Sequence, residues 1–330
     1  MKLSKIFILL LSLTLVLSAL SACNGDKQDG EDSANVYYTV TFNSNGGTAI
    51  EPKLVQHGGY VDEPPTPEKD GFIFDGWYDG ARKWAFSFSV DKDMTLTAHW
   101  VSSENMFAHT PTGDGETTVI TKLKQNAEDI RIPTVIGGYR VTAIADSVFA
   151  NLSSENVYKI VLPESVTTVG NESFYNCADI EIVVEGTLSS VGEKAFYGCN
   201  ALTSVTLGGG IETIALEAFA SSGLTSITLP ESVRMIDENA FENCASLKTV
   251  FAYDSIETIG DSAFFEAGIV TVYFYGTDEN IINILDTKTE PQNESFSEAK
   301  IYLYSETEPA EETEFKGFFY FDDNGKTRIW

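Results

Sequence analysis

Residues 224–246 read L-T-S-I-T-L-P-E-S-V-R-M-I-D-E-N-A-F-E-N-C-A-S, and close variants of this unit recur along the second half of the chain. Each unit has a phenylalanine at an equivalent position, with Ile or Val five residues before it. We call a set of equivalent positions a column, and this one contains Phe149, Phe174, Phe196, Phe219, Phe241 and Phe264. These phenylalanines are 25, 22, 23, 22 and 23 residues apart. Such a period indicates stacked repeats, in which no unit can bury its apolar side chains alone.

A second apolar column keeps the same phase. It opens an L-x-x-Φ segment, where Φ is aliphatic, at Val157, Ile180, Leu202, Leu224, Leu247 and Ile269. We expect a short strand there, a second extended piece at V-x-x-Φ and a tight helical turn at A-F-x-x-C. Stacking at about 4.8 Å per rung would align like side chains into ladders. The unit resembles the BspA-type leucine-rich repeat, which implies a capped solenoid over residues 107–305, beginning with a hairpin that turns at Gly113-Asp114-Gly115.

Residues 36–101 show short alternating strands instead, at 38–42 (Y-T-V-T-F), 71–78 (G-F-I-F-D-G-W-Y) and 96–100 (L-T-A-H-W), bounded by Gly, Asn and Pro. The order N-G-G-T, G-F-x-F-D-G-W-Y and L-T-A-x-W resembles the Listeria-Bacteroides repeat, also called the internalin B-repeat. This resemblance implies a small β-grasp-like module of bacterial surface proteins. We expect its core aromatic side chains to be Phe72, Phe74, Trp77 and Trp100.

The predicted fold class is therefore mainly β, with this module followed by a leucine-rich-repeat solenoid of short strands and short helical turns. A linker is expected at 102–106. Residues 306–330 are expected to form an acidic loop and a C-terminal hairpin that turns at Asn324-Gly325.

The N-terminus predicts the location of the protein. Lys2 and Lys5 precede an apolar run at 6–20, which is typical of a secretory signal and too short for an ordinary membrane span. The tetrapeptide L-S-A-C ending at Cys23 resembles a bacterial lipobox. This resemblance implies that 1–22 is a lipoprotein signal peptide and that Cys23 carries a diacylglyceryl anchor in the cell membrane, facing outward. Cleavage at the same small residues without lipidation is the alternative.

Residues 23–35 contain no large apolar side chain after Cys23, and we expect a flexible tether. The whole chain has 49 acidic and 21 basic side chains, giving a net charge of −28, which disfavours nucleic acid as a partner.

The sequence contains no H-E-x-x-H, G-x-S-x-G or phosphate-binding glycine loop. His57 and His99 are isolated from any metal-ligand pattern. We therefore predict that the protein is not an enzyme and holds no cofactor or metal. We also expect a monomer.

Three cysteines share one column of the repeat. Cys177, Cys199 and Cys244 each follow their phenylalanine by three residues, where other units have Ser222 or Ala267. Small residues share this position, so we predict reduced thiols packed in the core. A bridge between Cys177 and Cys199, or a metal, is the alternative.

The candidate partner-binding residues form an outward column of the strands: Val161, Val184, Thr206, Thr228, Phe251 and Tyr273. A neighbouring column that includes Ile182 is also expected to point outward. Strand propensity alone is the alternative explanation. We predict a non-catalytic, lipid-anchored adhesion or protein-binding module whose partner is a protein or glycan of a host or neighbouring cell. The alternatives are glycan capture by Trp77, Trp84 or the tyrosines, and a scaffold within the envelope.

Overall fold

The computed structural model describes residues 36–153, 155, 157–277, 279–281, 293–306, 317–321 and 327–329. The predicted signal peptide, Cys23 and the tether lie outside the described residues. The same holds for most of the acidic loop and for the Asn324-Gly325 turn.

The N-terminal module is one mixed sheet. Its strands are β1 (Tyr37–Asn43), β2 (Lys53–Gln56), β3 (Phe72–Asp79), β4 (Arg82–Lys83) and β5 (Met94–Ser102). They lie in the order β2-β1-β5-β3-β4, with β1 and β5 parallel and the other neighbours antiparallel. The three predicted strands are confirmed as β1, β3 and β5.

The core of the module is aromatic, as predicted, with one exception. Trp77 is 2% exposed and meets the rings of Phe42 and Phe74 edge to face, at centroid distances of 4.9 and 5.4 Å. Phe74 and Trp100 are half-buried and also pack edge to face. The prediction for Phe72 was wrong, because this residue begins β3 beyond the end of the aromatic core and is 40% exposed.

The module and the repeats share a packed junction. β5 runs directly into helix α1 (Ser103–Met106), and the backbone N–H of Ser103 donates to the carbonyl of Gly71 at 3.0 Å. Ile73 of the module is buried in the same apolar cluster as Met106 and the repeat core. Residues 102–106, expected to be a linker, are therefore the end of β5 and a helical turn docked on the module.

The repeats supply short strands on two sides of the solenoid. The strands on the first side are β6 (Phe107–Pro111), β7 (Thr117–Leu123), β9 (Val135–Ile136), β10 (Tyr139–Ile144), β12 (Thr168–Val169), β15 (Ser190–Val191), β17 (Thr213–Ile214), β19 (Met235–Ile236) and β21 (Thr258–Ile259). β10, β12 and β15 pair in parallel, as do β17, β19 and β21. These six parallel strands correspond to the predicted V-x-x-Φ pieces, whereas β6, β7 and β9 do not.

Among the described residues, the other side carries strands at the six L-x-x-Φ segments and five strands that lie outside that column. They are β8 (Asp129–Arg131), β11 (Lys159–Leu162), β13 (Glu181–Val184), β14 (Thr187–Leu188), β16 (Thr206–Leu207), β18 (Ser226–Thr228), β20 (Thr249–Tyr253), β22 (Thr271–Tyr275), β23 (Lys300–Tyr304), β24 (Gly317–Phe321) and β25 (Thr327–Ile329). The last six form one sheet in the order β18-β20-β22-β23-β24-β25. All its pairs are parallel except the C-terminal hairpin of β24 and β25.

The predicted phenylalanine ladder is confirmed. All six rings of the column are fully buried, and neighbouring rings stack at centroid distances of 5.0 to 5.6 Å with interplanar angles of 4 to 11°. The turns that hold these rings are also linked from rung to rung. The N–H of Phe174, for example, donates to the carbonyl of Ala195 at 2.9 Å. Each rung therefore depends on the next for both its apolar contacts and its backbone hydrogen bonds.

The N-terminal end of the ladder is closed by the predicted hairpin. β6 and β7 pair antiparallel, and the Phe107 ring meets Phe149 edge to face at 6.4 Å. Asp114 organises the hairpin turn, because its carboxylate accepts hydrogen bonds from Thr112, Thr117 and the N–H of Glu116. These donors hold the pKa of Asp114 well below its usual range.

The C-terminal end is closed by helix α2 (Glu294–Ser297) and the residue before it. The Phe296 ring stacks on Phe264 at 4.9 Å and so adds a rung outside the repeat period. The Asn293 side chain is 1% exposed, and its amide group forms hydrogen bonds with backbone groups of the last rung, as the backbone of a further rung would. Its Oδ1 accepts from the N–H of Phe264 at 2.8 Å, and its Nδ2 donates to the carbonyl of Gly260 at 2.9 Å.

Candidate binding face

The outer face of the last sheet is aromatic. Alternation along β20, β22 and β23 buries Val250, Ala252, Val272, Phe274, Ile301 and Leu303 in the core. The intervening positions therefore point away from the core. Together with β24, they carry a group that we call the aromatic face: Phe251, Tyr253, Tyr273, Tyr275, Tyr302, Tyr304, Phe319 and Phe321.

The rings of the aromatic face form two rows that cross the strands. In the first row, Tyr273 stacks with Phe251 at 4.9 Å and with Tyr302 at 5.7 Å. In the second row, Tyr275 stacks with Tyr253 at 4.4 Å and lies 4.9 Å from Tyr304. The parallel register produces these rows, because it places Phe251 beside Tyr273 and Tyr273 beside Tyr302.

Phe319 joins the two rows at their C-terminal end. Its ring is fully buried and meets Tyr273, Tyr275 and Tyr304 edge to face at 4.8 to 5.4 Å. Phe321 lies beside it and is 39% exposed. An aromatic residue of the sheet's outer face is therefore itself buried, which makes this group a packed cluster rather than a set of separate surface rings.

Stacking determines which parts of these rings can meet a partner. Neighbouring rings cover much of one another's faces, so ring edges and tyrosine hydroxyl groups are the parts left for contact. Burial raises the pKa of Tyr253, Tyr273 and Tyr275 above the ordinary value of 10.0. These hydroxyl groups therefore stay protonated at neutral pH and can donate as well as accept hydrogen bonds.

The predicted outward column contributes unequally to this surface. Phe251 and Tyr273 lie in the aromatic face, and Thr206 and Thr228 are exposed on earlier rungs. Val184 is half-buried and packs against the repeat core beside Leu162, so its outward placement was wrong. Val161 alternates with the core residues Ile160 and Leu162 and so points away from the repeat core, but it is covered and only 5% exposed, so it offers no contact surface. In the sheet it lies beside Arg131, whose guanidinium pairs with Glu185 at 2.9 Å.

A shift in register explains a second error in the same rungs. β11 pairs with β13 so that Ile160 lies beside Ile182 and Val161 beside Val183. Ile182, predicted to point outward, is therefore buried at 4% exposure, and the expected anchor Val183 is only half-buried. The regular column begins only after this rung.

Sequence reasoning missed six members of the aromatic face: Tyr253, Tyr275, Tyr302, Tyr304, Phe319 and Phe321. The available signal was an aromatic residue at every second position in Y-F-Y (273–275), Y-L-Y (302–304) and F-Y-F (319–321). Period-two aromatic spacing indicates strands with one aromatic face. Which strands lie side by side could not be read from it.

The tryptophans proposed for glycan stacking are poorly placed. Trp77 is buried in the module core, so the proposal for this residue was wrong. Trp84 is half-buried and packs edge to face with Phe88 at 5.3 Å. His57 and His99 are exposed, with His99 stacked on Tyr78 at 3.8 Å. Over the described ranges, no group of three or more His, Cys, Asp or Glu side chains could hold a metal ion.

The three repeat cysteines are free, buried thiols. Each Sγ donates to the carbonyl of the phenylalanine one rung earlier in that column: Cys177 to Phe149 at 2.9 Å, Cys199 to Phe174 at 3.0 Å and Cys244 to Phe219 at 3.0 Å. Burial raises the pKa of Cys177 to about 12 and also raises the pKa of the other two thiols. Because the thiolate is the reactive form of cysteine and burial disfavours it, these three side chains are inert packing groups.

Both resemblances found in the sequence are confirmed by comparison with known proteins. Residues 180–285 match the model of the BspA type leucine rich repeat region in six copies, and residues 38–99 match that of the Listeria-Bacteroides repeat domain. The chain carries BspA-type leucine-rich repeats and a Listeria-Bacteroides repeat. In the sheet that bears the aromatic face, β18, β20 and β22 lie within the matched repeats, and β23, β24 and β25 follow them in the sequence.

Relatives match only part of this chain and a small part of themselves. A protein named "Putative Gly-rich membrane protein" from Evansella cellulosilytica is 42% identical over 67 residues, which are 19% of this chain and 8% of that protein. Internalin H from Listeria monocytogenes is 34% identical over 91 residues, which are 24% of this chain and 16% of internalin H. The chain therefore spans less than a fifth of the length of either relative.

Solved structures similar to this chain are also leucine-rich repeat proteins. The repeat protein of T. pallidum has 20% identity and a TM-score of 0.43, covering 56% of this chain and 95% of its own. A leucine-rich cell surface protein from Faecalibacterium prausnitzii has 22% identity and a TM-score of 0.40, covering 68% of this chain and 59% of its own. In the part of this chain that the structure describes, no helix has the length and apolar character needed to cross a membrane.

Proposed function

We propose that this protein is a non-catalytic, lipid-anchored module of the cell surface that binds a protein of a host or neighbouring cell through the aromatic face. The packed aromatic cluster on the outer side of the last sheet carries the proposal. Aromatic side chains contribute most of the binding energy in many protein interfaces, and stacked rings that are already ordered lose little entropy on binding.

The geometry favours a protein over a glycan at this face. A sugar ring stacks on the open face of an aromatic ring, whereas the rings in these rows largely cover each other's faces. Ring edges and protonated tyrosine hydroxyl groups instead suit peptide carbonyls and apolar side chains. The net charge of −28 supports a partner other than nucleic acid.

The anchor and location rest on the lipobox at Cys23 and on the relatives. The Evansella relative is named as a membrane protein, and the Listeria-Bacteroides repeat matches over residues 38–99. We propose that the diacylglyceryl group on Cys23 holds a monomer at the outer surface of the membrane. The parent protein should incorporate a labelled fatty acid in bacterial cells, and Cys23→Ser should abolish the label; a parent protein without label would contradict the anchor.

The binding proposal is tested with the full chain purified in detergent. It is immobilised and presented with fibronectin, laminin and collagen, together with surface protein extracted from neighbouring bacterial cells. We expect binding to at least one of these, and the double variant Phe251→Ala, Tyr273→Ala should weaken it by about tenfold or more.

Two control variants separate the aromatic face from general effects. Tyr158→Ala removes an aromatic side chain that is 56% exposed outside the aromatic face, and it should leave binding unchanged. Tyr273→Phe keeps the ring and removes only the hydroxyl group, so it shows whether that group contributes. Equal binding by the parent and by a folded Phe251→Ala, Tyr273→Ala variant would refute the role of the aromatic face.

A further inference from the structure

We infer that the cleft between the N-terminal module and the first rungs of the solenoid binds a neutral oligosaccharide. The cleft has a volume of about 750 Å³, which lies within the range of about 300–1,000 Å³ for small-molecule sites. It lies at the junction of two units, where such sites are frequent. It contains none of the residues of the aromatic face, so this inference does not depend on the proposed function.

One wall of the cleft is aromatic and comes from the module. It contains Phe72, Phe74 and Trp100, and the Phe72 ring is 40% exposed. Phe74 and Trp100 meet edge to face at 5.5 Å, so they brace each other rather than lie parallel. Unlike the rings in the rows of the aromatic face, the Phe72 ring stacks on no aromatic ring in the described ranges, and with Lys69 over one of its faces the other is left for the C–H face of a sugar ring.

The ammonium group of Lys69 is fixed beside this wall. Its Nζ donates to the carbonyl of Asn45 at 2.9 Å and lies 4.6 Å from the centroid of the Phe72 ring and 5.6 Å from that of Trp100. Cation–π contact and the hydrogen bond hold the group in place before a ligand arrives. A donor that is already ordered suits a ligand hydroxyl group at little entropic cost.

The facing wall comes from the repeats and carries charges of both signs. Arg131 and Glu185 form an ion pair at 2.9 Å, whereas Arg140 and Glu164 form no ion pair with any residue in the described ranges. A site with unpaired groups of both signs favours neither an anion nor a cation. Hydroxyl groups both donate and accept, so they can pair with a guanidinium and a carboxylate together.

A buried hydroxyl group without a partner also lines the cleft. Ser165 is 5% exposed, and its Oγ forms no hydrogen bond with any of the described residues. Because less than 1 Å² of the Ser165 Oγ is exposed, its side chain must rotate towards the cleft to meet a ligand; a ligand that supplies the missing partner then removes the cost of an unpaired buried hydroxyl group and gains affinity. Aromatic contact, fixed donors and acceptors, and this hydroxyl group together describe a polyhydroxylated ring compound.

The experiment uses the full chain in detergent, with hexasaccharides of cellulose, chitin, maltose and mannan as probes. Binding is followed by tryptophan fluorescence, because Trp100 lies in the wall of the cleft, and by calorimetry. We expect at least one probe to bind with a Kd below about 1 mM. Phe72→Ala should weaken it by about tenfold or more, and Arg140→Gln by about threefold or more.

Ser165→Ala separates binding from folding. Since the hydroxyl group has no partner among the described residues, its removal should leave the Tm unchanged or higher while weakening oligosaccharide binding by about threefold or more. The matched aromatic control is Tyr60→Ala, which removes a ring that is 66% exposed beside a separate cleft of about 480 Å³. This variant and Phe251→Ala, Tyr273→Ala should bind the oligosaccharide normally.

Three results would overturn the inference. The first is failure of all four hexasaccharides to bind at about 10 mM. The second is loss of binding in Tyr60→Ala with normal binding in Phe72→Ala, which would place the site in the other cleft. The third is capture of members of a random peptide library by the parent but not by Phe72→Ala, without oligosaccharide binding, which would make the ligand a peptide.

Discussion

Asn293 should be an end cap on which the last rungs of the solenoid depend, and Asn293→Ala tests this directly. The substitution removes the acceptor of the Phe264 N–H at 2.8 Å and the donor to the Gly260 carbonyl at 2.9 Å. Asn293 is 1% exposed and Phe264 fully buried, so the freed N–H gains no water as a partner. A buried group left unpaired costs about 1–3 kcal/mol, and the second hydrogen bond adds about 1 kcal/mol.

The expected loss in the free energy of unfolding is therefore about 2–4 kcal/mol. For a domain of this size, about 2–4 °C of Tm corresponds to each kcal/mol, so the Tm should fall by roughly 4–16 °C. Circular dichroism measures the melting. Amide hydrogen exchange at Phe264 should accelerate more than at Phe174, which is far from the cap, because repeat arrays open from their ends.

Asn200→Ala is the matched control. The Asn200 side chain also accepts a backbone N–H from a neighbouring rung, that of Asp179 at 2.8 Å, but it does so in an exposed position. Water can replace this acceptor, so the expected cost is below about 0.5 kcal/mol. If Asn293→Ala were as mild as Asn200→Ala, the cap would be unimportant and the reasoning from burial would be refuted.

The remaining predictions concern the ladder and the thiols. Phe219→Ala should destabilise the protein by about 3–5 kcal/mol, because the Phe219 ring is buried between Phe196 and Phe241. Phe265→Ala, at a position that is 39% exposed, should cost less than about 1 kcal/mol. Urea unfolding measures both values. Cys177, Cys199 and Cys244 should react with a thiol reagent only after unfolding, and a reductant should leave the Tm unchanged; detection of fewer than three of them in denaturant would contradict free thiols. Burial raises the pKa of Cys177 from its ordinary 9.0 to about 12, so this thiol ionises at lower pH in the unfolded chain than in the folded protein. The Tm should therefore decrease as the pH rises from 9 towards 12. If Cys177→Ala showed the same dependence of Tm on pH, Cys177 would not be its cause.

Much of the fold follows from the sequence because each repeat unit packs against the adjacent copies of itself. When Phe174 and Phe196 occupy equivalent positions of adjacent units, stacking is the arrangement that buries both. The same reasoning placed the three thiols in one buried column. The alternation in β1, β3 and β5 likewise determined which segments of the module form strands.

The errors fall where the period is interrupted or where burial depends on a remote segment. The register of β13 shifts by one residue, which turns Ile182 inward, and Val161 lies beside Arg131 from a strand outside the repeat columns. A one-residue shift in register moves every side chain of a strand to the opposite face, so the repeat period predicts the wrong face for that strand. Phe72 was misplaced because its alternation is correct but the core ends before it.

By itself, the sequence determined the solenoid, its phenylalanine ladder, its thiol column and the strands of the module, because these depend on spacing within one unit and its copies. Only the tertiary structure decided the grouping of the aromatic face, the cap at Asn293 and the cleft at the junction. Each of these joins residues that no period relates: Phe251 to Phe319 through four paired strands, Phe264 to Asn293, and Phe72 to Arg140. Such contacts form between surfaces that exist only after the separate elements have folded and packed.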